Sequence, residues 1–299
     1  MKIAITGGTG FVGRYIVKRM ASAGHACSCW RRPDSNMDDL PVEADWIFGS
    51  LNDASTMAPL VEGCDVVIHS ALFRPDTSIV GFRGAEGDIP TFLEANFLGT
   101  IRLIEAARAA GVPRFVFLST CAVHEEILSD RPLDEAHPLW PKTHYGAHKA
   151  ALEKFVHSYG LGMGYEICAL RPSGVYGVRA PVGDSKWFEL IHAVANGKTV
   201  ECTKGGKEVH AADVARACEI LLTAEGIAGQ AYSCCDQYIS EFDVATITKE
   251  ITGSQATIIG GPRKPKHSIV TDKLQGTGMK FGGEELLRQT IEELVSAAC

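Results

Sequence analysis

Through the first half of the chain, short runs of apolar residues alternate with longer stretches whose apolar positions recur every three or four residues. The strand-like runs cover residues 2–6, 26–30, 46–48, 66–70 and 115–119, and the helical patterns between them cover 13–23, 53–61 and 90–110. This alternation predicts βαβ units and an α/β fold with a mostly parallel, doubly wound sheet. Val66-Val67-Ile68 carries no polar alternation, as expected of a strand covered on both faces. Gly111-Val112-Pro113 stops the longest helical pattern, because glycine suits a left-handed cap and proline cannot continue the ladder. A further helix is predicted from Tyr145 to about residue 159, and a strand over 166–170. Beyond Arg171 the pattern loosens: glycine, proline and charge recur in 172–184, 203–207 and 260–266, between helical patterns at 186–195 and 213–223. The expected organisation is a sheet-forming part over 1–170 and a smaller part over 171–299 that faces the substrate and sends segments back to the sheet.

The turn after the first strand reads Thr6-Gly7-Gly8-Thr9-Gly10-Phe11-Val12-Gly13. Glycines at 8, 10 and 13, after a strand and opening a helix, are what a dinucleotide pyrophosphate needs: a tight turn, close backbone approach and the free N–H groups of a helix N-terminus. Gly7, Gly10, Phe11, Val12 and Gly13 are the expected cofactor contacts. Arg31 and Arg32 stand where the second strand ends, the position at which an acid accepts from ribose hydroxyls and an arginine pairs with a 2′-phosphate. They favour NADP over NAD, although Asp34 is also within sequence reach of a ribose and a solvated basic turn before Pro33 is the plainer alternative.

Tyr145 and Lys149 are four residues apart in Tyr145-Gly146-Ala147-His148-Lys149, hence on one face of a helix. A phenol, with a reference pKa near ~10, exchanges protons at neutral pH more readily beside a positive charge. Lys149 is expected to supply that charge and to hold the nicotinamide ribose. Thr120 ends a strand, where a hydroxyl faces the ligand crevice of a parallel sheet and can donate to a substrate carbonyl; Ser119 is the alternate, and a hydroxyl that only caps a turn is the plainer reading.

Composition narrows the partners. Of the 299 residues 45% are hydrophobic and 22% charged, with a formal net charge of −7, which gives no basic field for nucleic acid. No apolar run approaches the ~18 residues that span a bilayer, and glycines interrupt the N-terminal run before a signal-peptide core forms. A small-molecule substrate and a cytoplasmic location are expected. The ten cysteines form no repeated CxxC pair and read as small buried hydrophobes in a reducing compartment; no metal site is expected.

Taken together, these residues resemble the extended short-chain dehydrogenase/reductase family, also called the NAD-dependent epimerase/dehydratase family, across essentially the whole chain. Thr6 to Gly13 is similar to its TGxxGxxG and Tyr145 to Lys149 to its YxxxK. Asn96-Phe97-Leu98-Gly99-Thr100 is similar to NxxGT, Phe117 to Thr120 to the strand ending in the catalytic Ser or Thr, Leu170 to Gly177 to LRPxxVYG, and His210 to Ala215 to HVxDVA. The resemblance implies a Rossmann-type sheet with a smaller C-terminal substrate-binding part, and catalytic roles for Thr120, Tyr145, Lys149 and Asn96. It places Ser50, Leu51, Ala71 and Pro172 beside the cofactor. A homodimer through the helices at 90–110 and 144–159 is also implied.

Several positions depart from the family pattern. Ser50 replaces the first acid of GDLxD, His69-Ser70-Ala71 stands for HxAA, and Val123-His124-Glu125 for VYG. Gly206 and Lys207 occupy the neighbourhood of the arginine that often binds a sugar-nucleotide diphosphate. The expected activity is hydride transfer between a nicotinamide and a small carbonyl or alcohol. Sugar-nucleotide epimerisation or dehydration is the first alternative, and a non-catalytic NADP-sensing protein the second. Residues 73–88, 179–188 and 260–266 are expected to shape specificity, with Lys186 and Trp187 able to meet an anion or a ring.

Overall fold

The structure is a computed structural model and describes residues 1–74 and 88–298. Twelve strands occur among them: β1 (Lys2–Thr6), β2 (Ala26–Arg31), β3 (Asp45–Phe48), β4 (Val66–His69), β5 (Arg114–Leu118), β6 (Glu166–Pro172), β7 (Gly174–Tyr176), β8 (Val200–Cys202), β9 (Gly205–His210), β10 (Gln230–Cys234), β11 (Gln237–Ser240) and β12 (Ile258–Gly260). The α-helices are α1 (Phe11–Ser22), α2 (Met57–Val61), α3 (Ile89–Leu93), α4 (Gly99–Ala109), α5 (His144–His157), α6 (Phe188–Ala195), α7 (Ala211–Leu221), α8 (Glu241–Thr252), α9 (Asp272–Gln275) and α10 (Gly283–Ala298). No helix among the described residues is long and apolar enough to cross a membrane.

Seven parallel strands form the main sheet in the order β10-β6-β5-β4-β1-β2-β3. The apolar runs serve both faces at once because successive side chains point opposite ways. Ile3 and Ile5, Val66 and Ile68, Val116 and Leu118, and Cys168 and Leu170 pack into one core with α1 and α7. Their neighbours Ala4, Val67, Phe115, Phe117, Ile167 and Ala169 pack into a second core with α2, α4 and α5. Strand order reverses between β1 and β4, so the loops leaving these two strands part and open a crevice at their carboxyl ends.

Beyond Arg171 the chain is divided. β10 closes one edge of the main sheet and α7 covers α1, while Tyr176, Ile191, Ile239, Val244, Leu287 and Ile291 form a separate core among α6, α8 and α10. Sheet β11-β9-β7 bridges the two regions.

Two helical patterns are broken where the sequence runs smoothly. The stretch expected as one helix over 90–110 is α3, a π turn at Glu94–Leu98, and α4. The wider turn coincides with Asn96, whose side-chain Nδ2 donates to the Phe92 carbonyl at 3.0 Å and to the Phe73 carbonyl at 2.9 Å. In the segment expected as a helix over 53–61, Asp53 Oδ1 instead caps a 3₁₀ turn by accepting from Ser55 N at 3.0 Å, and only α2 follows.

Candidate active site

The crevice at the switch point is a cavity of about 570 Å³, within the ~300–1,000 Å³ usual for small-molecule sites. Its floor is the glycine turn. Gly7 has φ +73°, and a Cβ there would lie 2.7 Å from Ala71 N. A Cβ on Gly13 would lie 1.9 Å from the Gly7 carbonyl oxygen, so the turn closes only without that side chain. Gly10 caps α1 with no side-chain hydrogen bond and no acid stands in the first turn, which leaves the helix N-terminus open to an anion.

The cavity brings together nearly every residue singled out in the sequence. Gly7, Gly10, Phe11, Val12, Gly13, Arg31, Arg32, Ser50, Leu51, Ala71, Thr120, Tyr145, Lys149 and Pro172 all line it, as does Ser119. Asn96 does not. Its Oδ1 accepts from Phe73 N at 2.7 Å while its amide donates to the Phe73 carbonyl, so from behind the cavity wall it fixes the chain that leaves β4.

A buried polar relay supports that wall. His69 Nδ1 lies 2.6 Å from Thr6 Oγ1 and Nε2 lies 2.9 Å from Thr100 Oγ1, which itself donates to the Asn96 carbonyl at 2.6 Å. Burial, with the charge of Lys149 adding to it, depresses the His69 pKa well below its ordinary value and keeps the ring neutral. Since Thr100 has already used its proton, Nε2 is the donor; Thr6 then donates to Nδ1 and accepts from Ala71 N at 3.2 Å. The relay therefore ties β1, β4 and the Asn96 turn into one frame.

Thr120 and Ser119 are distinguished by what lies behind them. Ser119 Oγ donates to Glu153 Oε1, inside a buried ion pair in which Arg171 Nε lies 3.0 and 3.1 Å from the two carboxylate oxygens. Both partners are almost wholly buried, so Ser119 is held to the structure. Thr120 Oγ1 accepts from Ala122 N at 3.1 Å, and its hydroxyl lines the cavity, where it makes a hydrogen bond with Tyr145.

The charge balance differs from the one expected. Burial raises the Tyr145 pKa, opposed by the Thr120 hydrogen bond and by the charge of Arg74. Lys149 Nζ donates to the Leu118 carbonyl at 2.7 Å and lies 4.5 Å from the centre of the Phe117 ring. Burial pushes Lys149 down to about 7 despite the opposing pull of Glu153. The charge of Arg74 thus also bears on the phenol, and burial loosens the hold of Lys149 on its proton.

Arg31 stacks 4.1 Å over the Phe48 ring, and its Nε is buried with no hydrogen-bond partner among the described residues. Arg32 is exposed and lies 3.5 Å from Asp34. The uncapped helix and the side-chain-free turn fit the pyrophosphate of a dinucleotide.

Among the lining residues not singled out for the cofactor are Arg74, Asn52 and Arg179. Arg179 stacks 4.3 Å over Phe11, and Tyr15 holds the adjoining Val178 through both backbone groups, at 3.0 and 2.9 Å. Neither expected specificity side chain lines the cavity. Lys186 Nζ pairs with Glu208 at 2.5 Å, and Trp187 packs against Tyr176. Apart from its ends, the loop expected at 73–88 lies outside the described residues.

Comparison with known proteins agrees with this architecture. Relatives include a 4-hydroxy-2-methyl-3-oxo-4-farnesyl-3,4-dihydroquinoline-1-oxide ketoreductase of Stigmatella aurantiaca, 31% identical over 79% of this chain and 68% of that enzyme. A UDP-glucose 4-epimerase of Streptomyces lividans is 28% identical over 92% of this chain and 88% of that enzyme. Among solved structures, the UDP-glucose 4-epimerase of Thermus thermophilus in complex with NAD shares the fold with TM-score 0.78 at 24% identity, over 99% of this chain and 100% of that one. The profile of the NAD-dependent epimerase/dehydratase family matches residues 3–235. The chain belongs to that family, as an extended short-chain dehydrogenase/reductase.

Proposed function

We propose that the chain is an NADP-dependent oxidoreductase that moves a hydride between the nicotinamide and a small carbonyl or alcohol, with Thr120, Tyr145 and Lys149 as its working side chains. The observation that carries this reading is that these three and the glycine turn wall one cavity. When bound, the nicotinamide supplies or takes up the hydride at the reacting carbon. Tyr145, kept neutral by burial, gives its phenolic proton to the carbonyl oxygen during reduction and recovers it in the reverse direction. Thr120, its oxygen fixed by Ala122 N, donates to that same oxygen. Lys149 uses one N–H on Leu118 and turns the others to the ribose hydroxyls.

The preference for NADP rests on Arg31 and Arg32. Both line the cavity where β2 ends, and a 2′-phosphate there pairs with a guanidinium. A net reductase rather than a sugar-nucleotide enzyme is favoured by Gly206 and Lys207, which stand in the neighbourhood where a diphosphate-binding arginine is often found. The ketoreductase relative points the same way. The coverage of the UDP-glucose 4-epimerase favours the second reading, a sugar-nucleotide epimerase. The test is the absorbance of reduced nicotinamide while NADPH is offered with small ketones and aldehydes, set beside UDP-glucose. Net oxidation with the carbonyls supports the first reading; conversion of UDP-glucose with no net oxidation replaces it with the second.

The assembly is proposed as a homodimer. Leu93, Leu98 and Phe155 are exposed along α3, the π turn and α5, and the Phe97 ring meets Phe155 at 5.5 Å to join them into one face. Light scattering should give twice the chain mass, and the Leu98→Asp and Phe155→Asp pair half of that. A cytoplasmic setting suits the nine free thiols among the described residues.

A further inference from the structure

A second cavity, of about 330 Å³, adjoins the first and shares Thr120, Pro172 and Ser173 with it. Its walls are mainly carbon, from Ala122, Ile127, Leu133, Gly174 and Ile269. The chain beyond β12 closes it: Leu133 and Ile269 form an isolated parallel bridge, and Val270 N donates to the Leu133 carbonyl at 2.9 Å.

The imidazole, thiol and charged groups on this wall are accounted for with one exception, and the Ser173 hydroxyl is buried with no hydrogen-bond partner among the described residues. His124 Nδ1 lies 3.2 Å from the Pro138 carbonyl and Nε2 lies 3.1 Å from Arg171 Nη1. Burial and the neighbouring guanidinium push its pKa down to about 4, so the ring is neutral, donates from Nδ1 and accepts at Nε2. Cys121 Sγ turns to the Arg171 carbonyl at 3.0 Å. Lys207 is the exception. It stands on β9 opposite Tyr238 of β11, is half-buried, and lines the chamber with no ion pair among the described residues. The acid beside it in sequence, Glu208, is taken by Lys186.

We propose that this chamber is the substrate-specificity pocket and that Lys207 binds a carboxylate on the substrate: the enzyme takes oxo acids or hydroxy acids, with an apolar spacer between the reacting carbon and the anion. The proposal rests on the oxidoreductase reading above, because it places the reacting oxygen at Thr120. From there a molecule runs past Pro172 and Ser173, lays its carbon skeleton on Ala122, Leu133 and Ile269, and ends on the ammonium. The cation at the chamber wall selects one charged end.

The test separates binding from turnover. Calorimetry on the protein with NADP⁺ measures acetoacetate, levulinate and benzoylpropionate, each against its methyl ester, for the native chain, Lys207→Met and Lys207→Arg. A charge-assisted contact predicts that at least one acid binds about tenfold to a hundredfold tighter than its ester in the native chain. That preference should vanish in Lys207→Met and return in Lys207→Arg, with NADP⁺ affinity and thermal midpoint unchanged. Equal binding of acid and ester, a preference that survives Lys207→Met, or failure of every acid to bind overturns the proposal. Binding through Lys207 without any consumption of NADPH overturns the oxidoreductase reading and leaves the anion site standing.

Discussion

Replacing Lys149 by methionine should stabilise the cofactor-free protein, and by an amount that depends on pH. The side chain is buried, and its pKa falls from 10.5 to about 7. At ~1.36 kcal/mol for each pH unit, that fall corresponds to roughly 5 kcal/mol of unfavourable free energy in the charged form. Methionine keeps the stem but forfeits the hydrogen bond to Leu118 and the contact with Phe117, together about 1–3 kcal/mol. The net gain at pH 7 is therefore about 2–4 kcal/mol. The sign follows from linkage. Below pH 7 folded and unfolded chains are both protonated and the full cost stands. Between 7 and 10.5 the unfolded chain keeps its proton and the folded one does not, so the cost shrinks as pH rises. Urea unfolding of both proteins at pH 7, 8 and 9 should show the advantage of Lys149→Met falling by roughly 3 kcal/mol across that interval. A pH-independent difference, or a variant less stable than the native chain at pH 7, refutes the reasoning.

Three other perturbations probe different parts of the site. Gly13→Ala places a methyl against the Gly7 carbonyl; it should cost about 1–3 kcal/mol in unfolding and abolish NADPH quenching of tryptophan fluorescence. Arg171→Met strands the buried Glu153 carboxylate and should cost about 3–5 kcal/mol, with Glu153→Gln in the same chain recovering part of it. Asn96→Ala releases the Phe73 backbone and should lower kcat while NADPH affinity stays within about twofold; a kcat at the native level would remove its positioning role.

The main sheet was legible because each of its interior strands is apolar on both faces, a pattern that leaves few alternatives to a covered parallel sheet. The glycine turn was legible for a similar reason: its spacing has a mechanical meaning that Gly7 and Gly13 bear out in space. What stayed hidden depends on distance across the fold. Apolar periodicity runs unbroken through Asn96, so the π turn around it left no mark in the sequence. Ser119 and Thr120 are equivalent as letters, and only Glu153, thirty-four residues away, separates them. The four-residue spacing of Tyr145 and Lys149 said nothing of the desolvation that raises the phenol's pKa and lowers the ammonium's, nor of the charge of Arg74 that also bears on the phenol. Arg74 and Arg179 stand at the start of segments expected to shape specificity, and without periodicity there nothing singled out these two side chains.

The most direct test of the account is turnover by Tyr145→Phe, which removes one oxygen from the cavity and leaves the ring. The account predicts that NADPH affinity stays within about twofold while carbonyl reduction falls by about 10²–10⁴-fold, the contribution of a positioned proton donor. Reduction at the native rate by that variant would contradict it.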